Sequence, residues 1–242
     1  MSSRAGQKQA ARVVREQLAK EQRRRRTLWI TLGAVVVLVI AAAIGVAVWS
    51  RQSPDSYAQP AGVTDDGGPD AGIQVAGTGP VTVEVYLDFL CPACRQFEAQ
   101  SGPTLDELAA DNKIRLVWHT LGFLDDRTDP PGYSTRAASA AGCAADGGKL
   151  PAFGEALFAQ QPEEGGPGLT DDQIIDIGGN VGLIAPSFAQ CVRDVRYSDW
   201  VSHVTNEAAR RGITSTPTVF VAGQQIDQPT PENLTAAVDA AS

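Results

Sequence analysis

Val81-Thr-Val-Glu-Val-Tyr-Leu-Asp-Phe-Leu-Cys-Pro-Ala-Cys-Arg-Gln-Phe97 is the stretch on which the reading turns. Its first seven residues alternate β-branched or aromatic side chains with polar ones and predict a strand. Cys91-Pro92-Ala93-Cys94 then opens a helix, since a proline in the first turn gives up an N–H that would have no partner there. We expect that helix to run through Phe97 to about Ser101, to break at Gly102-Pro103, and to restart at Thr104 with Leu105 and Leu108 on one face. A second strand is expected over Ile114 to Trp118 or His119, which completes a βαβ unit with two thiols at the strand-to-helix turn.

That spacing carries chemistry. Two cysteines separated by two residues can close a small disulfide ring, and the positive end of a helix stabilises a thiolate on the first. Exchange proceeds through a mixed disulfide, so Cys91 is the candidate nucleophile, expected to be exposed, and Cys94 the shielded resolving thiol. A zinc half-site would need a second Cys or His pair at ligand spacing, whereas His119 and His203 are isolated. We therefore expect neither metal nor other cofactor.

Upstream lie Ile73 and Val75, a possible edge strand, and before them a polar Pro- and Gly-rich linker over 50–72. Leu28 to Trp49 forms 22 residues without a charge, with Trp29 and Trp49 near its ends and Arg23 to Arg26 just before it. Roughly 20 such residues cross a bilayer as a helix, and the positive-inside rule keeps the N-terminus cytoplasmic. The segment is longer than the apolar region of a cleaved signal peptide, so an anchor is expected, with everything beyond Ser50 exported. Met1–Thr27 holds nine basic and two acidic residues, +7, so the remaining chain carries −15 of the net −8. So acidic a domain repels phosphate backbones, which argues against nucleic acid as a partner.

Downstream of Gly122 the pattern changes to helices: Tyr133 to about Ala145, Pro151 to Gln160, Thr170 to Gly178, and Ala185 to about Arg210 with interruptions. After Gly212, Thr214-Ser-Thr-Pro-Thr-Val-Phe-Val221 leads into a strand, Ala222-Gly223 turns it, and Gln224 to Asp227 returns beside it. Pro231 to Ala241 reads as a final helix. The organisation expected is a basic tail (1–27), an anchor (28–49), a linker (50–72) and one α/β domain (73–242) with a helical insertion at about 122–200.

The strand with its Cys-x-x-Cys, the insertion, and the late Thr-Pro before a strand together resemble the thioredoxin superfamily. More narrowly, they resemble its DsbA-like branch in the membrane-anchored form of Gram-positive bacteria, over about Ile73 to Ser242. The resemblance implies a thioredoxin fold, a cis Pro217 beside the thiol pair, and Thr216 as its neighbour pairing with a substrate strand. It implies an oxidase that donates the Cys91–Cys94 disulfide to newly exported, cysteine-containing proteins and is reoxidised by a DsbB-like or VKOR-like membrane protein. A reductase or isomerase, and a non-catalytic adaptor or chaperone on the same scaffold, are the alternatives. In an exported chain, and in relatives with such an insertion, Cys143 and Cys191 pair as a structural disulfide; closing that loop restricts the unfolded chain by about 4 kcal/mol. A redox relay to Cys91 is the sharper alternative for them.

One departure from the family pattern concerns protons. The buried acid that many thioredoxin-fold enzymes carry six residues before the nucleophile is here Val85, with Glu84 and Asp88 nearby as the candidates for a proton relay. Asp88 either relays protons through water or caps the turn before the helix. Asp125, Asp126 and Asp129 read as a solvated loop.

Overall fold

In the computed structural model, the described residues are 57–64 and 71–242. The basic tail, the apolar Leu28–Trp49 segment and most of the linker lie outside them. Among the described residues no helix is long and apolar enough to cross a membrane.

The elements run β1 (Ile73–Ala76), β2 (Val81–Leu87), α1 (Pro92–Ala110), β3 (Ile114–Thr120), α2 (Tyr133–Asp146), α3 (Leu150–Ala159), α4 (Asp171–Asn180), α5 (Pro186–Arg193), α6 (Ser198–Arg210), β4 (Thr218–Val221), β5 (Gln224–Gln225) and α7 (Pro231–Ala241). The sheet order is β1-β3-β2-β4-β5. β2 lies parallel to β3, from Val81 opposite Ile114 to Leu87 opposite Thr120, and antiparallel to β4. β1 closes one edge against β3 and β5 the other against β4, both antiparallel. The returning strand β5 is shorter than expected: Gln224 and Gln225 pair with β4, the Ile226 amide adds a bond to the Val219 carbonyl at 2.9 Å, and the chain then bends at Asp227.

Alternation along β2 divides the sheet's two faces. Val83 and Val85 are fully buried on one; Glu84 and Tyr86 lie on the other, where the Tyr86 ring stacks on His119 of β3 at 4.1 Å. α1 packs on β3 and on α7, and α7 on β4. α3 approaches Trp118 so closely that a Cβ on Gly154 would lie 2.6 Å from the indole ring, which only a residue without a side chain allows.

α1 corrects the expected break. Pro103 stands inside one continuous helix of 19 residues. An interior proline costs about 3 kcal/mol. Cys94, Phe97, Ser101, Leu105 and Leu108, however, fall at helical spacing on one buried stripe that crosses the proline. Three of these, Phe97, Leu105 and Leu108, are large apolar side chains worth about 1.5–3 kcal/mol each when buried, so their packing outweighs the lost hydrogen bond. Ser101 Oγ adds a bond to the Pro229 carbonyl at 2.8 Å, holding the middle of the helix against the loop before α7.

The stretch from Tyr133 to Arg193 forms four helices. Thr170 caps α4 in a capping box with Gln173, as Asp171 and Asp172 in the first turn favour. Cys143 in α2 and Cys191 in α5 are joined by a disulfide with Cα atoms 5.9 Å apart.

Candidate active site

The site is assembled where β2 ends. Asp88 follows the strand, and its carboxylate accepts from the Leu90 amide (2.9 Å), the Ser134 hydroxyl (2.7 Å) and the Leu124 amide (3.0 Å). One side chain thus ties the turn before α1 to the start of α2 and to the loop after β3. The Cys91 amide donates to the Asp88 carbonyl at 3.0 Å, which closes the turn. Cys91 then stands at the N-cap of α1 with Pro92 behind it, its carbonyl accepting from the amides of Cys94 and Arg95.

Both thiols are unbonded. The Cys91 thiol donates to the Thr216 carbonyl at 3.3 Å, across 125 residues of sequence, and the Thr216–Pro217 peptide is cis. Cys91 is lowered from the usual 9.0 to about 6. A hydrogen bond from Cys94 is the main cause; burial opposes it, and the Thr216 side chain and the Cys94 and Ala93 amides add to it. The Cys94 thiol is pushed well above its ordinary value, first by burial and then by its bond and charge contact with Cys91. The pair is therefore polarised: an ionisable sulfur at the helix end and a neutral thiol beneath it, 8 % against 1 % exposed. That first figure corrects the expectation of an exposed nucleophile. Cys91 is largely covered, because the loop before β4 lies against its sulfur.

Asp88 is completely enclosed. Burial raises its carboxyl to about 6, with a smaller contribution from Cys91, against the lowering effect of its three hydrogen bonds. Its contacts are those of a turn cap. Glu84 is not brought to the thiols. Projecting from the opposite face to Val85, it meets His119 Nε2 at 3.3 Å and Arg211 at 3.7 Å, and the bond from His119 holds it below the usual carboxylate range. Asp125 is less of a solvated loop residue than expected, since its carboxylate accepts from the Thr135 amide and hydroxyl near the start of α2.

Gln161 is a site residue that the sequence did not reveal. Its Nε2 donates to the carbonyls of Phe89 (2.9 Å) and Cys91 (3.0 Å) from just beyond the end of α3. Nothing in Ala-Gln-Gln-Pro marks one glutamine over its neighbour. Ser134 was equally silent, a serine in the first turn of a helix that had no reason to point at Asp88. Among the described residues no group of His, Cys, Asp or Glu is arranged to hold a metal ion.

A family model described as Thioredoxin matches residues 76–240. The serine/threonine-protein kinase PknE of Mycobacterium tuberculosis is 30% identical over 124 residues, covering 49% of this chain and 22% of that protein. The chain thus spans about a fifth of the length of the curated relatives it matches. Among solved structures, the reduced form of the disulfide bond oxidoreductase DsbG from Mycobacterium tuberculosis superposes with a TM-score of 0.64 at 30% identity, covering 72% of this chain and 88% of that one. Reduced DsbA from the same organism gives 0.62 at 29%, covering 70% and 91%.

Proposed function

The chain belongs to the thioredoxin family, and on that premise we propose that it is a DsbA-type thiol-disulfide oxidoreductase, acting outside the cytoplasm to donate the Cys91–Cys94 disulfide to newly exported proteins. The observation that carries this reading is the polarised thiol pair: Cys91 lowered to about 6 at a helix N-terminus, Cys94 shielded, Thr216 within hydrogen-bond distance. A substrate thiolate attacks Cys91 Sγ, the Cys91–Cys94 bond breaks, and Cys94 leaves with the electron pair and takes a proton. A second substrate thiolate then attacks the substrate sulfur of the mixed disulfide and expels Cys91 as a thiolate. Two electrons pass from substrate to enzyme, and the substrate keeps the disulfide. Stabilising the Cys91 thiolate makes it the better leaving group and favours donation over reduction, each pK unit being worth about 1.4 kcal/mol.

The site residues assigned are Cys91 and Cys94 as reacting thiols, Thr216 and Pro217 as the backbone face for a substrate strand, and Asp88 as the cap of the thiol turn. The proposed setting is a single-pass anchor at Leu28–Trp49 with a cytoplasmic N-terminus, a tether over 50–72 and an extracytoplasmic domain over 73–242. Tethering raises the local concentration of the domain near emerging chains and near a DsbB-like or VKOR-like membrane oxidase, which would accept the two electrons. Trapping thiols in growing cells tests the direction: an oxidised resting pair is expected, and a mainly reduced one favours a reductase or isomerase. With Cys94→Ala, mixed disulfides to exported proteins should accumulate through Cys91. Their absence would leave only a binding adaptor.

A further inference from the structure

A groove of about 490 Å³ runs between α1 and α3, with Thr216 and Pro217 not among the residues that line it. Leu116, Trp118 and Phe158 form its apolar floor, and Glu98, Asp106 and Glu155 stand along it. None of these three carboxylates carries a hydrogen bond or ion pair among the described residues. They act on one another: burial, then Asp106 and Glu155, raises Glu98 to about 7, and burial with Glu155 raises Asp106. Glu98 is partly buried while Asp106 and Glu155 are exposed, and repulsion of this kind along the wall of a groove is relieved by a cation. Among the described residues the one basic side chain lining the groove is that of Arg95, a single turn beyond Cys91.

Resting on the exchange role of Cys91, we propose that this groove is a substrate subsite, seating an apolar segment of a client polypeptide with a Lys or Arg about three residues from its reacting cysteine. The spacing follows from geometry. Glu98 lies seven residues along the helix from Cys91, about 10 Å at ~1.5 Å per residue, which an extended chain spans in about three residues at ~3.3 Å each. Arg95 disfavours a basic group nearer the sulfur. The apolar floor accepts the neighbouring side chain, while the carboxylates supply selectivity and faster encounter.

The test compares rates at which the oxidised full-length protein oxidises two dithiol peptides of one apolar sequence, with Lys or with Glu three residues from the cysteine, and dithiothreitol as a probe too small to reach the groove. The Lys peptide should react about tenfold faster at low salt. That ratio should fall towards one with added salt and in the Glu98→Gln, Asp106→Asn, Glu155→Gln triple variant, with dithiothreitol oxidation unchanged. Glu155→Lys, at an exposed position, should reverse the preference. Equal rates for both peptides in the unmodified protein, or a preference surviving the triple variant, overturn the subsite while the exchange reading stands. Unaltered peptide selectivity with altered self-association in the triple variant would instead give the groove to a second copy. Failure to oxidise any of the three dithiols would sink the exchange reading itself.

Discussion

The chain holds two pairs of cysteines that differ little in burial and greatly in what surrounds them. Cys91 and Cys94 are 8 % and 1 % exposed; Cys143 and Cys191 are 3 % and 7 %. The second pair lies within helices, Cys143 among the buried alanines of α2, and its sulfurs are bonded to each other. The first pair begins a helix, with backbone amides, a carbonyl and a buried carboxylate around it, and is unbonded. Burial alone therefore does not set a thiol's role. What distinguishes the pairs is the presence of donors that favour a thiolate, and a loop from a distant part of the chain placed against the sulfur.

Substitution breaks this comparison most sharply. Cys91→Ser should reduce dithiol oxidation to the uncatalysed background while leaving the fold intact. Cys143→Ala with Cys191→Ala should keep the activity of the folded fraction but lower stability by about 4 kcal/mol, as expected for opening a loop of 48 residues of separation. Turnover of a model peptide together with denaturant unfolding checks both. Loss of turnover in the folded double variant would instead support a relay between the pairs.

Acidity sharpens the contrast, because only one pair titrates. In the reduced protein folded Cys91 holds its proton less tightly than the unfolded chain, about 6 against 9.0. Its contribution to stability is complete above the unfolded value and is lost as pH falls through about 6. Asp88 has the opposite sign: raised from 3.8 to about 6, it contributes stability below 3.8 that is lost as pH rises through 6. The gap in unfolding free energy between reduced and oxidised protein should therefore shift towards the reduced form between pH 6 and 9, with thiolate absorbance showing a midpoint near 6.

Asp88→Asn separates the two contributions. Removing the carboxylate takes a negative charge from beside Cys91, so the thiolate midpoint should move below its value in the unmodified protein. An amide cannot accept from Leu90, Leu124 and Ser134 as the carboxylate does, and an unmatched buried donor costs about 1–3 kcal/mol. Near neutral pH the variant should be less stable but hold a more acidic Cys91. A midpoint that rises instead would show that Asp88 acts chiefly by shaping the turn.

Much of this was legible in the residues. Strand alternation at Val81–Leu87, the proline after Cys91 and the Thr-Pro before β4 each specify local backbone, and local signals survive folding. The proline in α1 misled because its local cost is outweighed by a stripe of apolar contacts that only tertiary structure supplies. Glu84 was drawn towards the thiols by its proximity in sequence, whereas the two-residue period of a strand turns it to the opposite face, towards His119 and Arg211. The cover over Cys91 was invisible for a similar reason: it comes from a loop 125 residues away.

The smallest expected effect tests a contact of that long-range kind. Gln161 reaches from the end of α3 to the carbonyls of Phe89 and Cys91, so the helical stretch that carries the bonded pair also braces the turn that carries the reactive one. The Cys91 carbonyl keeps its two helix amides without it, whereas among the described residues no other donor reaches the Phe89 carbonyl. Gln161→Ala should therefore cost about 1 kcal/mol, a fraction of the loss from opening the Cys143–Cys191 loop. Because the side chain contacts carbonyls rather than sulfur, the thiolate midpoint should stay near 6 while local opening of the turn increases, read as faster amide exchange at Leu90 and Cys91. A shifted midpoint with unchanged exchange would mean that Gln161 acts on the sulfur's electrostatics, and that α3 tunes the reactive pair as well as supporting it.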